Sequence, residues 1–267
     1  MKKNITIYII CIILIIGTIL LFIFKPTEFA DRIPVLTFHR LVEDDVKKKY
    51  YGDSEWVGSI DVFESMMEYL SENDYTTIST EEFYKWYKGE LKLPKKTVLI
   101  TIDDGYYEDY YYVYPIIKKY NFKATSFIIG SRTQDTTKEY NPIENNFIGK
   151  DAIEEIQKDY PNYEFQSHSY NMHYYTMDEK HAIKEMSYED IKKDFEKMKE
   201  FNFTTMAYPF GDFNDDIKSL LKEYDYLCAF RFAHSDYARR SNDRYEIYRI
   251  KMNDKADLNT LKKWLNY

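Results

Sequence analysis

The chain has 267 residues, a formal net charge of −8 and 44% hydrophobic residues. An acidic chain is a poor partner for nucleic acid, and this composition is typical of a globular protein rather than a disordered one. Only two cysteines are present, and Cys11 lies within an apolar run, so the sequence excludes a fold held together by internal disulfides.

The first predicted element is a membrane-spanning helix at residues 5–24. This segment has no charged side chain, and a helix of that length, at about 1.5 Å per residue, crosses a hydrocarbon core of about 30 Å. Lys2 and Lys3 precede it, so the positive-inside rule leaves residues 1–4 in the cytoplasm and the remainder outside. The alternative is a cleaved signal peptide, whose shorter apolar region and small-residue cleavage site are not evident. We therefore expect a single-pass cell-membrane protein with an extracellular domain after a linker at residues 25–32.

The segment from residue 33 to residue 267 alternates strand-like apolar runs with amphipathic helical stretches, which predicts one α/β domain. The predicted strands are Pro34–Phe38, Thr97–Ile102, Ala124–Ile129, Tyr163–Gln166, Thr205–Tyr208, Tyr226–Phe230 and Glu246–Ile250. The predicted helices are Val62–Leu70, Thr80–Lys88, Glu108–Tyr120, Ile153–Lys158, Tyr188–Phe201 and Leu258–Leu265. Ser79 and Glu82 form a capping-box pattern at the second helix. This alternation fits a doubly wound sheet or a barrel, and in both folds functional residues collect at the carboxyl ends of the strands.

Two acidic residues at the end of a predicted strand form the first candidate site. Asp103 and Asp104 follow the run TVLITI and precede Gly105. Asp-Gly is also a common turn dipeptide. A turn requires only one acid, however, and two adjacent carboxylates at the end of a buried strand repel each other unless a cation lies near. The pair therefore indicates a catalytic or metal-binding site.

Two histidines share one short loop after a later predicted strand. His168 and His173 lie in SHSYNMH, and their spacing differs from the i, i+4 spacing of a helical zinc pair, so the rings must converge through the loop. Together with one carboxylate they make a three-ligand set that leaves open positions on a catalytic metal. His39 ends the first predicted strand and lies at the same edge. We expect His181 on a solvated face and His234 in a loop, because their surroundings are charged or polar.

These segments resemble motifs of the polysaccharide deacetylase family, also known as the NodB-homology or carbohydrate esterase family 4 domain. TIDDGYYEDYYYVYPIIKKYNFKATSFIIG is similar to the first motif, TFDDG, with the helix and strand that follow it. SHSYNMH resembles the second motif, and AYPFG at residues 207–211 resembles the third. The resemblance extends from Ile33 to Met252. It implies a distorted (β/α) barrel that hydrolyses N-acetyl groups of acetylglucosamine units.

The resemblance also implies roles for individual residues. Asp103 occupies the position of the general base, and Asp104 joins His168 and His173 as ligands of a divalent metal. This ligand set suits zinc, with cobalt or nickel as alternatives. The backbone N–H of Phe210, in the third motif, is expected to stabilise the oxyanion together with the metal.

Three departures from the common family pattern indicate a particular subgroup of the family. The histidine spacing is one residue longer, Ala207 replaces the arginine that braces the base, and the late Leu-x-His motif that supplies the general acid is absent. The same departures resemble the subgroup that acts on the biofilm polymer poly-β-1,6-N-acetylglucosamine, in which a histidine at the end of the first strand replaces the acid. We therefore expect His39 to protonate the leaving amine, and Arg249 to pair with Asp103 in place of the missing brace.

The expected partner is accordingly an acetylated polysaccharide outside the cell. Two alternatives stay open on the sequence. One is a deacetylase of peptidoglycan or another cell-surface glycan, which would share the machinery and differ in its groove. The other is a catalytically silent, membrane-tethered protein that binds glycan and keeps the fold.

Overall fold

The computed structural model describes residues 28–232, 234–252 and 254–266. The predicted stub at residues 1–4 and membrane-spanning helix at residues 5–24 lie outside the described residues. Within the described part, no helix has both the length and the apolar character needed to span a membrane.

The described strands are short, and most carry β-branched or aromatic side chains. They are β1 (Arg32–Ile33), β2 (Val35–Phe38), β3 (Arg40–Val42), β4 (Val57–Ser59), β5 (Thr76–Thr77), β6 (Thr97–Asp104), β7 (Ala124–Ile128), β8 (Tyr163–Ser167), β9 (Thr205–Ala207), β10 (Cys228–Phe230), β11 (Ala238–Arg239) and β12 (Ile250–Lys251). The helices are α1 (Asp44–Val46), α2 (Ile60–Glu72), α3 (Thr80–Tyr87), α4 (Tyr114–Lys119), α5 (Lys150–Asp159), α6 (Ala182–Glu185), α7 (Tyr188–Met198), α8 (Asp215–Glu223) and α9 (Leu258–Leu265).

The main sheet is parallel and curls toward closure. Its strand order is β10-β9-β8-β7-β6-β2-β12, and β5 adds to β6. Ile247 bridges Phe230 at one edge of the sheet, while Ile250 pairs with Leu36 near the other. Because one short segment contacts both edges, the sheet forms a distorted barrel rather than an open doubly wound sheet. The barrel that the sequence resemblance implied is therefore present.

The strands send alternate side chains to two different cores. On β6, Ile100 and Ile102 pack with the surrounding helices, whereas Leu99 belongs to a second core with Val35 of β2 and Phe127 of β7. Because side chains alternate along a strand, the side chains of residues 101 and 103 on β6 point to the inside of the barrel, like that of Leu99. We call such a set of alternate residues an inward-facing series. The same series on β2 runs through residues 35, 37 and 39. Polar side chains at the carboxyl ends of these series therefore point into the mouth of the barrel.

Several element boundaries differ from the sequence predictions. The predicted strand Glu246–Ile250 reduces to the bridge at Ile247 and to β12, because only these residues reach a neighbouring strand. The predicted helix Glu108–Tyr120 is divided into a π-helical turn at Asp109–Val113 and α4. Helix α8, capped by Asn214, was absent from the prediction. The predicted helix Leu258–Leu265 and the capping box at the start of α3 are confirmed.

Candidate active site

The carboxyl ends of the barrel strands surround a cavity of about 200 Å³. All of the site residues that the sequence singled out line it: His39, Asp103, Asp104, His168, His173, Phe210 and Arg249. The fold thus brings together residues that lie as much as 210 positions apart in the chain, from His39 to Arg249. Two groups of contacts divide the cavity, one around Asp104 and the other around Asp103.

The backbone at the end of β6 allows both adjacent carboxylates to face the cavity. Asp103 points inward by the alternation of the strand, which alone would turn Asp104 outward. Asp104 has a φ of +82°, and Gly105 follows with a φ of +70°. A Cβ atom on Gly105 would lie 2.7 Å from Cγ2 of Ile128, so only glycine fits there. This left-handed turn breaks the alternation and brings the second carboxylate to the same side as the first.

Asp104, His168 and His173 form a group that could hold a metal ion. Their nearest ligand atoms all lie within 4.8 Å of one another, and no other such group is found in the described part of the chain. The Oδ1 atom of Asp104 lies 3.5 Å from Nε2 of His168 and 3.4 Å from Nε2 of His173. This oxygen is buried and accepts no hydrogen bond. A buried carboxylate oxygen without a partner is costly, and a bound cation would remove that cost.

The protonation of the two imidazoles supports the same conclusion. Burial lowers the pKa of His168 to about 3 and that of His173 to about 4, so both rings are neutral at pH 7. The Nδ1 atom of His168 lies 2.8 Å from the carbonyl oxygen of Ala207. A carbonyl can only accept, so Nδ1 carries the hydrogen and Nε2 presents its lone pair to Asp104. Two electron-rich atoms facing each other across 3.5 Å form a site suited to a divalent cation.

Asp103 has a full set of partners within the protein. Arg249 donates from Nη1 and Nη2 to its two carboxylate oxygens at 2.7 and 2.8 Å, and both side chains are buried. Burial alone would raise the pKa of Asp103, but the charge and hydrogen bonds of Arg249 prevail and lower it to about 2. Burial of Asp104, which lacks such a partner, raises its pKa to about 6. The two adjacent acids therefore differ sharply in their electrostatic environment.

His39 lies beside the Asp103 pair. Its Nε2 atom is 3.8 Å from Oδ2 of Asp103, and its ring packs edge-on against Trp56 and Phe232 at centroid distances of 4.9 and 5.4 Å. Burial lowers the pKa of the imidazole, although the neighbouring carboxylates oppose this effect. The ring is therefore held near both the carboxylate and the open volume of the cavity.

Phe210 occupies a left-handed backbone conformation, with a φ of +58°. Its ring lies between two imidazoles, 4.3 Å from His173 and 4.1 Å from His181 by centroid, and the His181 ring is nearly parallel to it. His181 also contacts Asp212 through Nδ1. Residues 178–180 of the charged stretch are exposed, as expected, whereas His181 itself is only partly exposed because a turn after His173 carries it back over the third motif. His234 lies in a loop and is exposed, as expected.

The loop between His168 and His173 is held by a residue outside it that the sequence prediction missed. Asp194 of α7 is buried, and its two carboxylate oxygens accept the backbone N–H groups of Tyr170 and Asn171 at 2.7 and 2.6 Å. The available signal was an acid on the apolar face of an amphipathic helix, where Ile191 and Phe195 are buried beside it. Such a placement indicates a specific partner.

The fold and the site together define a class: a parallel-barrel hydrolase in which an ionised carboxylate and a candidate metal group share one cavity. The model of the polysaccharide deacetylase family matches residues 90–229. The chain belongs to this family and is an N-deacetylase, a hydrolase.

Named relatives and solved structures agree with this assignment. The poly-β-1,6-N-acetyl-D-glucosamine N-deacetylase of Staphylococcus aureus strain MRSA252 is 32% identical over 76% of this chain and 70% of that protein. The protein of the same name from Staphylococcus epidermidis is 27% identical over the same shares of the two chains. IcaB from Ammonifex degensii has a TM-score of 0.72 at 19% identity, over 89% of this chain and 98% of that one. Streptococcus pyogenes deacetylase PplD, in complex with acetate, has a TM-score of 0.71 at 20% identity, over 88% and 98%. At these identities the structures establish the fold alone.

Proposed function

We propose that this protein is a metal-dependent N-deacetylase of extracellular poly-β-1,6-N-acetylglucosamine. The observation that carries the proposal is the division of the cavity: Asp103 is neutralised by Arg249, while Asp104 faces two neutral imidazoles with an unpartnered oxygen. Metal-assisted hydrolysis of an amide uses a base and a Lewis acid at one carbonyl, and these two groups could supply them. The choice of polymer is supported by the names of the relatives that span three quarters of this chain.

The metal proposal assigns Asp104, His168 and His173 as ligands. When bound, a divalent ion would supply Lewis acidity, which would acidify the attacking water and polarise the acetyl carbonyl. Zinc suits two imidazoles and a carboxylate, and cobalt or nickel is compatible with the same set. The protein's own contribution is to keep both rings neutral and, at His168, to hold the tautomer whose Nε2 faces the metal position.

Asp103 is assigned as the general base. Its pKa of about 2 keeps it ionised at neutral pH and able to accept a proton. Such a low pKa makes a weak base, so the attacking water must be acidified before Asp103 removes its proton. Arg249 fixes the orientation of the carboxylate through two parallel hydrogen bonds and thereby replaces the arginine that the third motif lacks at Ala207.

His39 is assigned as the acid that protonates the leaving amine. Burial lowers its pKa, so the ring is mostly neutral before the reaction and must acquire the proton within the cavity. Asp103 is the nearest source, with 3.8 Å between Oδ2 and Nε2. We propose that one proton passes from the water to Asp103, then to His39, and finally to the amine nitrogen as its bond to the acetyl carbon breaks. Acetate and a free amine are the products.

Phe210 is assigned to the oxyanion through its backbone N–H. Phe210 lines the cavity and has a left-handed backbone conformation, and both observations support this assignment. Because the main chain makes the contribution, phenylalanine serves as well as tyrosine at this position.

The location of the protein is part of the proposal. The uncharged run at residues 5–24 and the preceding lysines favour an anchor with the catalytic domain on the outer side of the membrane. A tethered enzyme would meet the polymer near its site of export.

Acetate release from a panel of acetylated glycans tests this function. We expect the purified full-length protein to release acetate from β-1,6-linked N-acetylglucosamine oligomers, to lose that activity with a chelator and to regain it with zinc, cobalt or nickel. His168→Ala should bind less metal and fall to background turnover, whereas His234→Ala, outside the cavity, should match the wild type.

Three results would contradict parts of the proposal. Activity on peptidoglycan but not on β-1,6 oligomers would replace the substrate. Full activity after the chelator has removed all metal would remove the metal. A protein that binds the glycan, contains no metal and releases no acetate would be a silent binding protein.

A further inference from the structure

The chain between the second histidine ligand and α6 forms a small hairpin at the rim of the cavity. Tyr175 pairs with His181 in an antiparallel bridge, and the N–H of Ala182 donates to the carbonyl oxygen of Tyr174 at 3.0 Å. The N–H of Thr176 donates to the carbonyl oxygen of Lys180 at 2.8 Å, which closes the turn. We name residues 174–182 the rim hairpin.

Side-chain contacts fasten the rim hairpin to the site. The ring of His181 stacks on Phe210, and its Nδ1 contacts Asp212, whose carboxylate also pairs with Lys184 at 2.9 Å. The Tyr175 ring lies 4.9 Å from that of Phe210 and 5.2 Å from that of His181. These contacts place the Tyr175 ring at the rim of the cavity.

Tyr175 combines this position with high exposure. It lines the cavity, yet 60% of its surface is open to solvent, and no hydrogen bond to its hydroxyl occurs among the described residues. A single exposed aromatic ring is ordinary on a protein surface. A ring positioned by two aromatic neighbours at the rim of a substrate cavity is different, because it offers a large apolar face and loses less side-chain entropy on binding than a ring without such contacts.

The size of the cavity indicates what this ring would contact. A cavity of about 200 Å³ is smaller than the range of about 300–1,000 Å³ that is usual for ligand pockets. At that size we expect it to take the acetamido group and the sugar that carries it, with the neighbouring sugars of a polymer on the rim. A pyranose presents a face of C–H groups between its polar edges, and that face is complementary to an aromatic ring.

We infer that Tyr175 forms a subsite that stacks on the sugar next to the one being deacetylated. The inference rests on the proposed function and adds to it a requirement for chain length. A monomer or a small acetyl ester fills only the cavity, whereas an oligomer also covers the rim. Tyr175 therefore contributes to the binding of oligomers and not to the chemical step.

Kinetics on β-1,6-linked N-acetylglucosamine oligomers of increasing length, and on a small acetyl ester, test the inference. We expect Tyr175→Ala to raise KM for oligomers about 3- to 10-fold, the usual worth of one aromatic contact, with kcat and ester turnover unchanged. Tyr175→Phe should behave as the wild type, because the ring and not the hydroxyl makes the contact. Met177→Ala is the matched control, since Met177 is fully exposed at the tip of the same hairpin.

The outcomes separate this inference from the proposed function. Equal losses on ester and oligomer, equal losses in the Tyr175→Ala and Met177→Ala variants, or no change in Tyr175→Ala would overturn the subsite while leaving the enzyme intact. If the wild type released no acetate from any oligomer, the proposed substrate would fail. Titration of the same oligomers by calorimetry would then decide the subsite by itself: a weaker Kd in Tyr175→Ala alone supports it, and an unchanged Kd or no binding refutes it.

Discussion

The two sides of the cavity at the carboxyl ends of the strands differ in how their charges are balanced. On one side, Asp103 forms a buried ion pair with Arg249, so the protein supplies both the negative and the positive charge. On the other side, Asp104 and two neutral imidazoles bring together three electron-rich groups, and among the described residues no lysine or arginine forms an ion pair with Asp104. The adjacent acids have pKa values of about 2 and about 6, although they share one strand end. We call these the paired side and the open side.

This difference shows how one strand end can provide two chemical functions. A carboxylate with an internal cation stays ionised and is available to accept a proton. A buried carboxylate without an internal cation either takes up a proton, because burial raises its pKa, or binds an external cation. Burial favours both outcomes because an unpaired charge away from water is costly. The proposed assignment of base and ligand is therefore supported by the position of Arg249, because the two acids themselves are chemically identical.

The largest expected effect comes from His39, which tests whether the two sides act separately. His39→Ala should lower turnover on oligomers by about 10²–10⁴-fold, because a positioned acid for the leaving amine is lost. Metal content should stay the same, since His39 is not part of the open side. An acetyl ester with a good leaving group needs no acid and should lose much less. Steady-state kinetics and metal analysis measure both, and an equal loss on amide and ester would remove His39 from protonation of the amine.

The second effect concerns the stability of the paired side. Arg249→Leu leaves Asp103 buried without its cation, and breaking a buried ion pair costs about 3–5 kcal/mol of unfolding free energy at neutral pH. The folded-state pKa of Asp103 lies below its ordinary value of 3.8, so in the wild type its stabilisation is present above pH 4 and is lost as the pH falls toward 2. In the variant, burial raises the pKa, so acid relieves the penalty by protonating Asp103.

Denaturant titrations of both proteins at several pH values measure this effect. The stability gap between wild type and Arg249→Leu should be largest near pH 7 and should narrow as the pH is lowered. The double variant Asp103→Asn, Arg249→Leu should recover part of the loss, because it removes the unpaired charge. A gap that stays constant with pH would mean that lost packing, and not the charge on Asp103, causes the destabilisation.

The sequence predicted which residues line both sides of the cavity, but the local signals were stronger for some residues than for others. Asp103, His39 and His168 end inward-facing series of strands, so their convergence follows from strand alternation and from the position of the carboxyl ends. The position of Asp104 depended on the left-handed turn at Gly105, for which the Asp-Gly dipeptide was the only local signal. Arg249 is expected from the family resemblance, because the arginine that usually braces the base is missing at Ala207. Strand alternation from the buried Ile247 also predicts that the Arg249 side chain points inward.

The contacts that support the site were harder to predict, because they depend on tertiary packing. His181 lies in a charged stretch, and only the hairpin that folds back over Phe210 gives it a partner. The strand that closes the barrel was misplaced because just a bridge at Ile247 and a pair at Ile250 define it. No local pattern distinguishes so short a pairing from a loop.

The smallest expected effect concerns how the open side keeps its shape. Asp194 accepts two N–H groups from the four residues between His168 and His173, a loop one residue longer than is common in the family. Asn at this position can accept only one of them and turns its own N–H₂ toward the other donor. We expect Asp194→Asn to weaken metal affinity about 10–100-fold, the usual effect of losing a partner that orients ligands.

Competition with a chromogenic chelator gives the metal affinity, and thermal unfolding of the metal-free protein gives the stability of the fold. Glu196→Gln is the matched control, because it makes the same chemical change on the exposed face of α7. If Asp194 only stabilised the fold, its loss would lower the melting temperature and leave the affinity of the folded protein unchanged. Weaker metal affinity with a wild-type melting temperature would instead show that Asp194, which does not itself bind the metal, positions the two histidines of the open side by holding the loop between them.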